Sequence, residues 1–358
     1  MGNSKSRFRP GDRVVVLPRA EVLRTLDNNG QCDGLPFMPE MLQYCGKQFT
    51  VYKSAHKSCD YTTPYPYRSR RISDAFLLEG ARCDGHAHGG CQAGCTLIWK
   101  GVWLRPADAT PLEPGALSGV VSEEILETSL LWRRTHITDP TDGLPKYLCQ
   151  ATEISSSGKV LAWWDLRQYI KDYTSGNVTL RRLLSGFLYS SYFHLSEAGI
   201  GIGSSMRWMF DRFSFVFRGT RWPRTPGTIP DGSPTPSTNL NLEPGELVRV
   251  KSHDEILSTI SRSNRNRGLL WDAELVPYCG GKYRVLRRVT KLISEQTGKM
   301  VEMKGACIVL DSVICQARYS SCRMFCPRAM YPYWREVWLE RVDDPASSSA
   351  RNTTSNEA

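Results

Sequence analysis

No stretch of this sequence holds about eighteen consecutive apolar residues, so no membrane-crossing helix is expected. The richest window, 183–203, is broken by His194, Glu197 and several serines. The opening MGNSKSRFRPGD lacks the apolar segment of a secretory leader, and an intracellular, cytoplasmic location is expected. The G-x-x-x-x-G-K-[ST] phosphate loop is missing too. The run GIGIG at 199–203 precedes a predicted helix over 204–213 without the strand–turn–helix setting of a dinucleotide site, and reads as a loop. C-x2-C knuckles are also absent, although the chain has 12 cysteines. Inside a cell, these read as thiols or metal ligands before disulfides.

What is there begins with charge. The formal net charge is +10, which suits nucleic acid, anionic lipid or an acidic protein as partner. Local basic knots are RSRR at 68–71 and RSNRNR at 262–267, each either a solvated surface or a polyanion site. The start MGNSKS is compatible with N-myristoylation at Gly2, with Lys5, Arg7 and Arg9 as an electrostatic second signal; a plain irregular start is the simpler expectation.

The chain also repeats itself. FRPGDRVVVL from Phe8 and LEPGELVRVK from Leu242 align at a constant offset of 234 without a gap through Tyr44-Cys45-Gly46 and Tyr278-Cys279-Gly280. Pro10-Gly11 matches Pro244-Gly245, Gly34-Leu35 matches Gly268-Leu269, and Glu40 matches Glu274. Both copies close alike, WKGVWLRPAD at Asp108 and WREVWLERVD at Asp343. Each copy predicts a strand after a Pro-Gly turn, a short helical turn and a glycine-started second strand. A last strand carries Trp99 and Trp103, or Trp334 and Trp338, on one side.

The pattern PGD-x-V-x-V, a variable loop, then GK-x-F-x-V resembles SH3-like barrels of the KOW and nitrile hydratase β-subunit type, over about 45 residues of each copy. The resemblance implies a fold and carries no catalytic residue with it. The expected class is therefore α+β, with two SH3-like small β-barrel units from an internal duplication flanking a central helical insert. The units are expected over 1–109 and 241–343, the insert with a Pro/Ser/Thr-rich linker over 110–240, and a disordered tail over 344–358. In the insert, VSEEILETSLLW from Val121, with Ser122 as cap, predicts one helix. Leu180, Leu183, Leu184, Phe187 and Leu188 predict another, stopped by Gly199. Trp163-Trp164 before DLRQY reads as a helix start with a buried tryptophan.

Duplication makes the cysteines readable. Cys45, Cys83, Cys91 and Cys95 correspond to Cys279, Cys315, Cys322 and Cys326, whereas Cys32, Cys59, Cys149 and Cys307 have no counterpart. Four thiolates per copy match a structural tetrahedral zinc site, with three cysteines and a histidine as a variant. Buried free thiols, disulfides and, last, an iron–sulfur cluster are the alternatives. CDGHAH is similar to the CDGSH of iron–sulfur proteins, but alanine stands at 87 where the ligand histidine would be, and the upstream C-x-C is missing.

His56, Cys59, Asp84, His86 and His88 belong to the first copy alone, which makes them the candidates for activity at a catalytic metal or a Cys–His pair. Two functions follow. One is a metal-stapled basic binding or adaptor protein for nucleic acid or an acidic partner. The other is a metal- or thiol-dependent enzyme, or an accessory subunit, with its site at that His/Cys cluster.

Overall fold

A computed structural model describes residues 7–63, 68–108, 130–199, 201–213, 221–320 and 322–343. Gly2, most of the expected helix from Val121 with its cap Ser122, Ile200 of the GIGIG run and the 344–358 tail lie outside the described residues. The fold is mixed α+β with two curled, half-barrel sheets. It divides into two compact units: unit 1 takes 1–188, 291–302 and 316–330, and unit 2 takes 189–290, 303–315 and 331–358. The stretch expected as a central insert is thus shared between them at Leu188/Tyr189.

Besides two small hairpins, the strands of unit 1 are β1 (Arg13–Val16), β2 (Gln48–Ser54), β3 (Lys57–Asp60), β4 (Arg68–Arg71), β5 (Ala75–Arg82), β6 (Thr96–Lys100), β7 (Leu104–Pro106) and β8 (Lys159–Leu161). They form a five-stranded sheet, β6-β5-β2-β1-β7, and a three-stranded one, β8-β4-β3. Pro10-Gly11 makes the opening turn because Gly11 must take φ +93°. Val14 and Val16 then alternate inward at zero exposure, and Val22 of helix α1 (Arg19–Leu23) covers them. Trp99 lies near the end of β6, but Trp103 sits in a 3-10 turn, Gly101–Trp103, rather than on the strand; both are fully buried in one core. The turn brings the Trp103 indole N–H to Thr25 Oγ1 at 2.8 Å.

Unit 2 uses the same solution. Strands β9 (Leu247–Val250), β10 (Lys282–Ile293), β11 (Met300–Leu310) and β12 (Leu339–Arg341) lie in the order β11-β10-β9-β12, residues 291–293 and 300–302 being counted with unit 1. β1 pairs β2 as Arg13↔Thr50 and Val15↔Gln48; β9 pairs β10 as Leu247↔Arg284 and Arg249↔Lys282. Val16↔Leu104 is answered by Val250↔Leu339. Trp338, again in a 3-10 turn, donates to Thr259 Oγ1 at 3.0 Å. The Pro/Ser/Thr-rich stretch 225–241, read as linker from its composition, contains no helix, yet it is tied down: Ile229 bridges Ser261, and Asn266 Nδ2 donates to Pro236 O at 2.9 Å.

Helix α2 (Leu166–Thr174) starts as expected, with Asp165 accepting from Arg167 N. Trp163 and Trp164, one of which was expected to be buried, are both exposed. Tyr169 is the aromatic that goes inside, with Val178, Met324 and Phe325. Helix α3 (Leu180–Ser196) forms as its apolar spacing predicts, but its leucines encircle it: Leu183 and Phe187 pack on that cluster, while Leu184 and Leu188 face water. Among the described residues no helix is long and apolar enough to cross a membrane.

Candidate metal centre

The loop from Cys83 to Cys95 is closed by its own backbone, Cys83 N–H donating to Cys95 O at 2.9 Å. Inside it, His88 N and Gly90 N both donate to Gly85 O, and Cys91 N donates to His88 O. Gly85 is required twice over. Its φ is +73°, and a Cβ there would lie 1.9 Å from Cys91 O. In this tight turn His86 is left exposed while Ala87 and His88 are buried. The His86 ring meets the Trp132 edge, at 5.2 Å, and its backbone N–H donates to Asp84 Oδ1.

His88 is nearly fully buried, between two acceptors. Its Nε2 lies 2.8 Å from Leu148 O and its Nδ1 2.6 Å from Glu40 Oε1. A carbonyl can only accept, so Nε2 carries a hydrogen; this fixes the ring and leaves Nδ1 to share a proton or take a cation. Glu40 comes from a 3-10 turn, Pro39–Tyr44, inside an apolar run, and is itself buried. Its Oε1 also accepts from Ala87 N at 3.0 Å, while its buried Oε2 has no partner. A buried carboxylate oxygen left alone is expensive, and a cation is one way to satisfy it. Cys83 completes the group. The ligand atoms of Glu40, Cys83 and His88 lie within 4.8 Å of one another, the sole such trio of His, Cys, Asp or Glu among the described residues, and this cluster can hold a metal ion.

Behind the trio is a cavity of about 40 Å³ lined by Cys83, Cys91, Cys95 and Cys149, with His88 and Arg328. That is room for water, not for a substrate. Burial, and then the neighbouring Glu40 charge, pushes the Cys83 thiol far up; burial lifts Cys95 to about 11 and Cys149 to about 12. With no cation present these are neutral thiols, poor nucleophiles. Cys91 Sγ accepts from Ile293 N at 3.4 Å.

The cysteines expected to act together therefore go to different places. Cys83, Cys91 and Cys95 share the cavity, but Cys45 does not line it. It ends the Pro39–Tyr44 turn, packs on the core of unit 1, and has its thiol pushed to about 11 by burial. Cys149, outside the repeated segments, is the fourth cavity cysteine. Of the second set, Cys279 and Cys315 belong to unit 2, with Cys279 against its core, whereas Cys322 and Cys326 belong to unit 1. None of the twelve cysteines stands in a disulfide.

The activity candidates separate as well. Cys59 is buried beside Cys326, whose Sγ accepts the Cys59 backbone N–H at 3.1 Å; Arg328, held bidentately by Glu295 at 2.9 Å, donates to Cys59 O. His56 Nε2 is 3.1 Å from Asp172 Oδ1, and Asp172 Oδ2 takes Lys57 Nζ at 2.5 Å, all three side chains being buried. Lys57 also donates to Met324 O at 2.8 Å. Asp84 caps its own turn and accepts from Gln43. Two of the three arginines of the RSRR knot are spent on ion pairs, Arg70 with Asp60 and Arg71 with Asp165, each at 2.7 Å.

Glu40 and Cys149 escaped the sequence reading. An acid inside the apolar run PFMPEML was a usable signal; for Cys149 there was none. No family model, no curated protein and no solved structure matches this chain.

Proposed function

We propose that this is a non-catalytic, basic binding protein in which a structural zinc staples the 83–95 loop of unit 1. The observation that carries the reading is the trio Glu40, Cys83 and His88, with its orphaned carboxylate oxygen. The S, N, O donor set is one that zinc accepts. Cys91, Cys95 and Cys149 line the adjoining cavity, outside the trio itself. Bound there, zinc would replace the proton shared by Nδ1 and Oε1 and hold Cys83 as thiolate. The alternative, a metal- or thiol-dependent enzyme at the first-copy His/Cys cluster, has less support: His56, Cys59, Asp84 and His86 each face other partners.

We further infer that the two sheets are copies of one SH3-like unit. The recurring strand registers and the repeated Trp-to-Thr hydrogen bond support duplication. The expected partner is nucleic acid or an acidic protein, on the strength of the net charge.

Elemental analysis of protein purified without chelator tests the staple. About one zinc per chain is expected, lost in Cys83→Ser and His88→Ala together with thermal stability. Metal-free protein that takes up no added zinc would sink it.

A further inference from the structure

The two units treat one buried cation in opposite ways. In unit 1, Lys100 of WKGVW is buried, donates to Ser73 O at 2.7 Å and meets a carboxylate, Asp33 Oδ2, at 2.7 Å. In unit 2 the corresponding residue of WREVW is Arg335, also buried. It donates to two backbone carbonyls, Gly305 O at 2.7 Å and Arg267 O at 3.1 Å, and its Nε has no partner. Among the described residues no carboxylate pairs with it. The position of Asp33 is taken in unit 2 by Arg267, at the same offset of 234.

That replacement runs against the backbone as well. Asp33 has φ +49° and Arg267 φ +46°, each before a glycine in the tight turn of a two-residue hairpin. Such turns favour Asn, Asp and Gly; arginine is a poor choice. A residue unfavourable by conformation, placed where it deprives a buried guanidinium of its counter-charge, points to a ligand.

The space is present. A cavity of about 280 Å³ is lined by Arg267, Arg288, Lys304, Arg335 and Glu336, together with polar residues that include Ser237 and Asn266. Glu336 is the sole acid there, and it is used up by Arg288 Nη2 at 2.6 Å and the backbone N–H groups of Leu240 and Leu242. Three positive charges, on Arg267, Lys304 and Arg335, therefore line the cavity without an acid.

We propose that this cleft of unit 2 binds a phosphoryl anion, with the Arg335 guanidinium at its floor and Arg267 and Lys304 at its rim. Guanidinium groups offer paired donors that match phosphate oxygens, and the hydroxyls and amides supply the rest of the shell. The ligand is either a free phosphate ester or a backbone phosphate of a single-stranded nucleic acid. This names a ligand for the binding role proposed above, but it does not depend on the zinc.

The deciding variant is Arg267→Asp, which restores the arrangement of unit 1. It should fold at least as well as the parent, because it suits the turn and pairs Arg335. Titrations of the full chain would use inorganic phosphate, a nucleoside monophosphate and a fluorescent single-stranded RNA oligonucleotide. Binding weakened about tenfold or more in Arg267→Asp and in Arg335→Met is expected. Phosphate and nucleotide binding without the oligonucleotide would assign a free ester; oligonucleotide binding that falls with salt and is lost in the variants would assign the backbone. If none of the three binds at millimolar concentration, or if Arg267→Asp binds like the parent, the proposal is wrong. Zinc content measured on the same samples keeps this outcome separate from that of the staple.

Discussion

Units 1 and 2 share a register and diverge in what they keep buried. Both open on a Pro-Gly turn, seat two valines of the first strand in the core, and hang the closing tryptophan on a threonine. Around that common frame unit 1 buries an acid, thiols and a histidine in contact with one another, while unit 2 leaves a guanidinium facing a basic cleft. The lesson concerns where chemistry sits in two units with matching registers. Matched positions end in different states: Lys100 meets Asp33, whereas Arg335 has only backbone carbonyls because Arg267 stands where Asp33 does.

The comparison is sharpest at the tryptophans. Trp103→Ala and Trp338→Ala should each cost about 3–5 kcal/mol, from lost burial and a cavity, and by similar amounts. Urea unfolding would measure both; a large loss in one with near silence in the other would break the equivalence of the frames. A smaller and one-sided effect is expected at Lys57. Lys57→Met strands Asp172 as a buried carboxylate and should destabilise the protein by about 3 kcal/mol, whereas Lys57→Met with Asp172→Leu should recover most of that. Failure of the double variant to recover would mean that Lys57 matters for packing on Tyr169 and Phe325 rather than for its charge.

The smallest effect is common to both units. Burial holds His56 below the usual imidazole range, opposed by Asp172 and helped by Lys57 and Lys171. Burial does the same to His253, with Asp254 and Asp211 opposing and Arg221 helping. Each folded pKa lies below the unfolded one, so the unfolded chain takes up the proton first. Stability is complete above about pH 6.5 and declines as pH falls from there toward the lowered value. His56→Gln and His253→Gln should each flatten that decline by about 1 kcal/mol between about pH 7.5 and 5.5. Unfolding midpoints at the two pH values that shift in the variants as in the parent would remove these histidines from the account.

The frame was legible because a constant offset of 234 can be read without knowing any contact, and the Pro-Gly, Cys-Gly and Trp positions fix the turns. The site was half legible. Cys83, Cys91, Cys95 and His88 could be picked out, but treating the matched cysteines as one set overstated symmetry. Cys45 precedes a glycine that turns the chain into β2 and faces the core, and Cys149 arrives from outside the repeat. Glu40 was hidden by its match to Glu274, which made it look like scaffold. His86 and His88 were taken together, yet residues two apart in a tight turn do not share a direction as they would on a strand. The exposed Trp163 and Trp164 contradict the habit of burying tryptophan, since Tyr169 fills the place beneath helix α2.

The turn at Arg267 was in plain view as Arg-Gly against Asp-Gly, but only the buried Arg335 gives it meaning.

The twelve cysteines have a practical consequence. Nine fall in unit 1 and three, Cys279, Cys307 and Cys315, in unit 2. Burial keeps several of them protonated, Cys307 at about 11 and Cys279 at about 12, so an alkylating reagent must wait for the surrounding structure to open. The rate at which a buried cysteine is labelled is then a clock for local opening. Cys59 and Cys326 in unit 1 and Cys307 in unit 2 are such clocks, enough to follow breathing in each unit by mass without adding a probe.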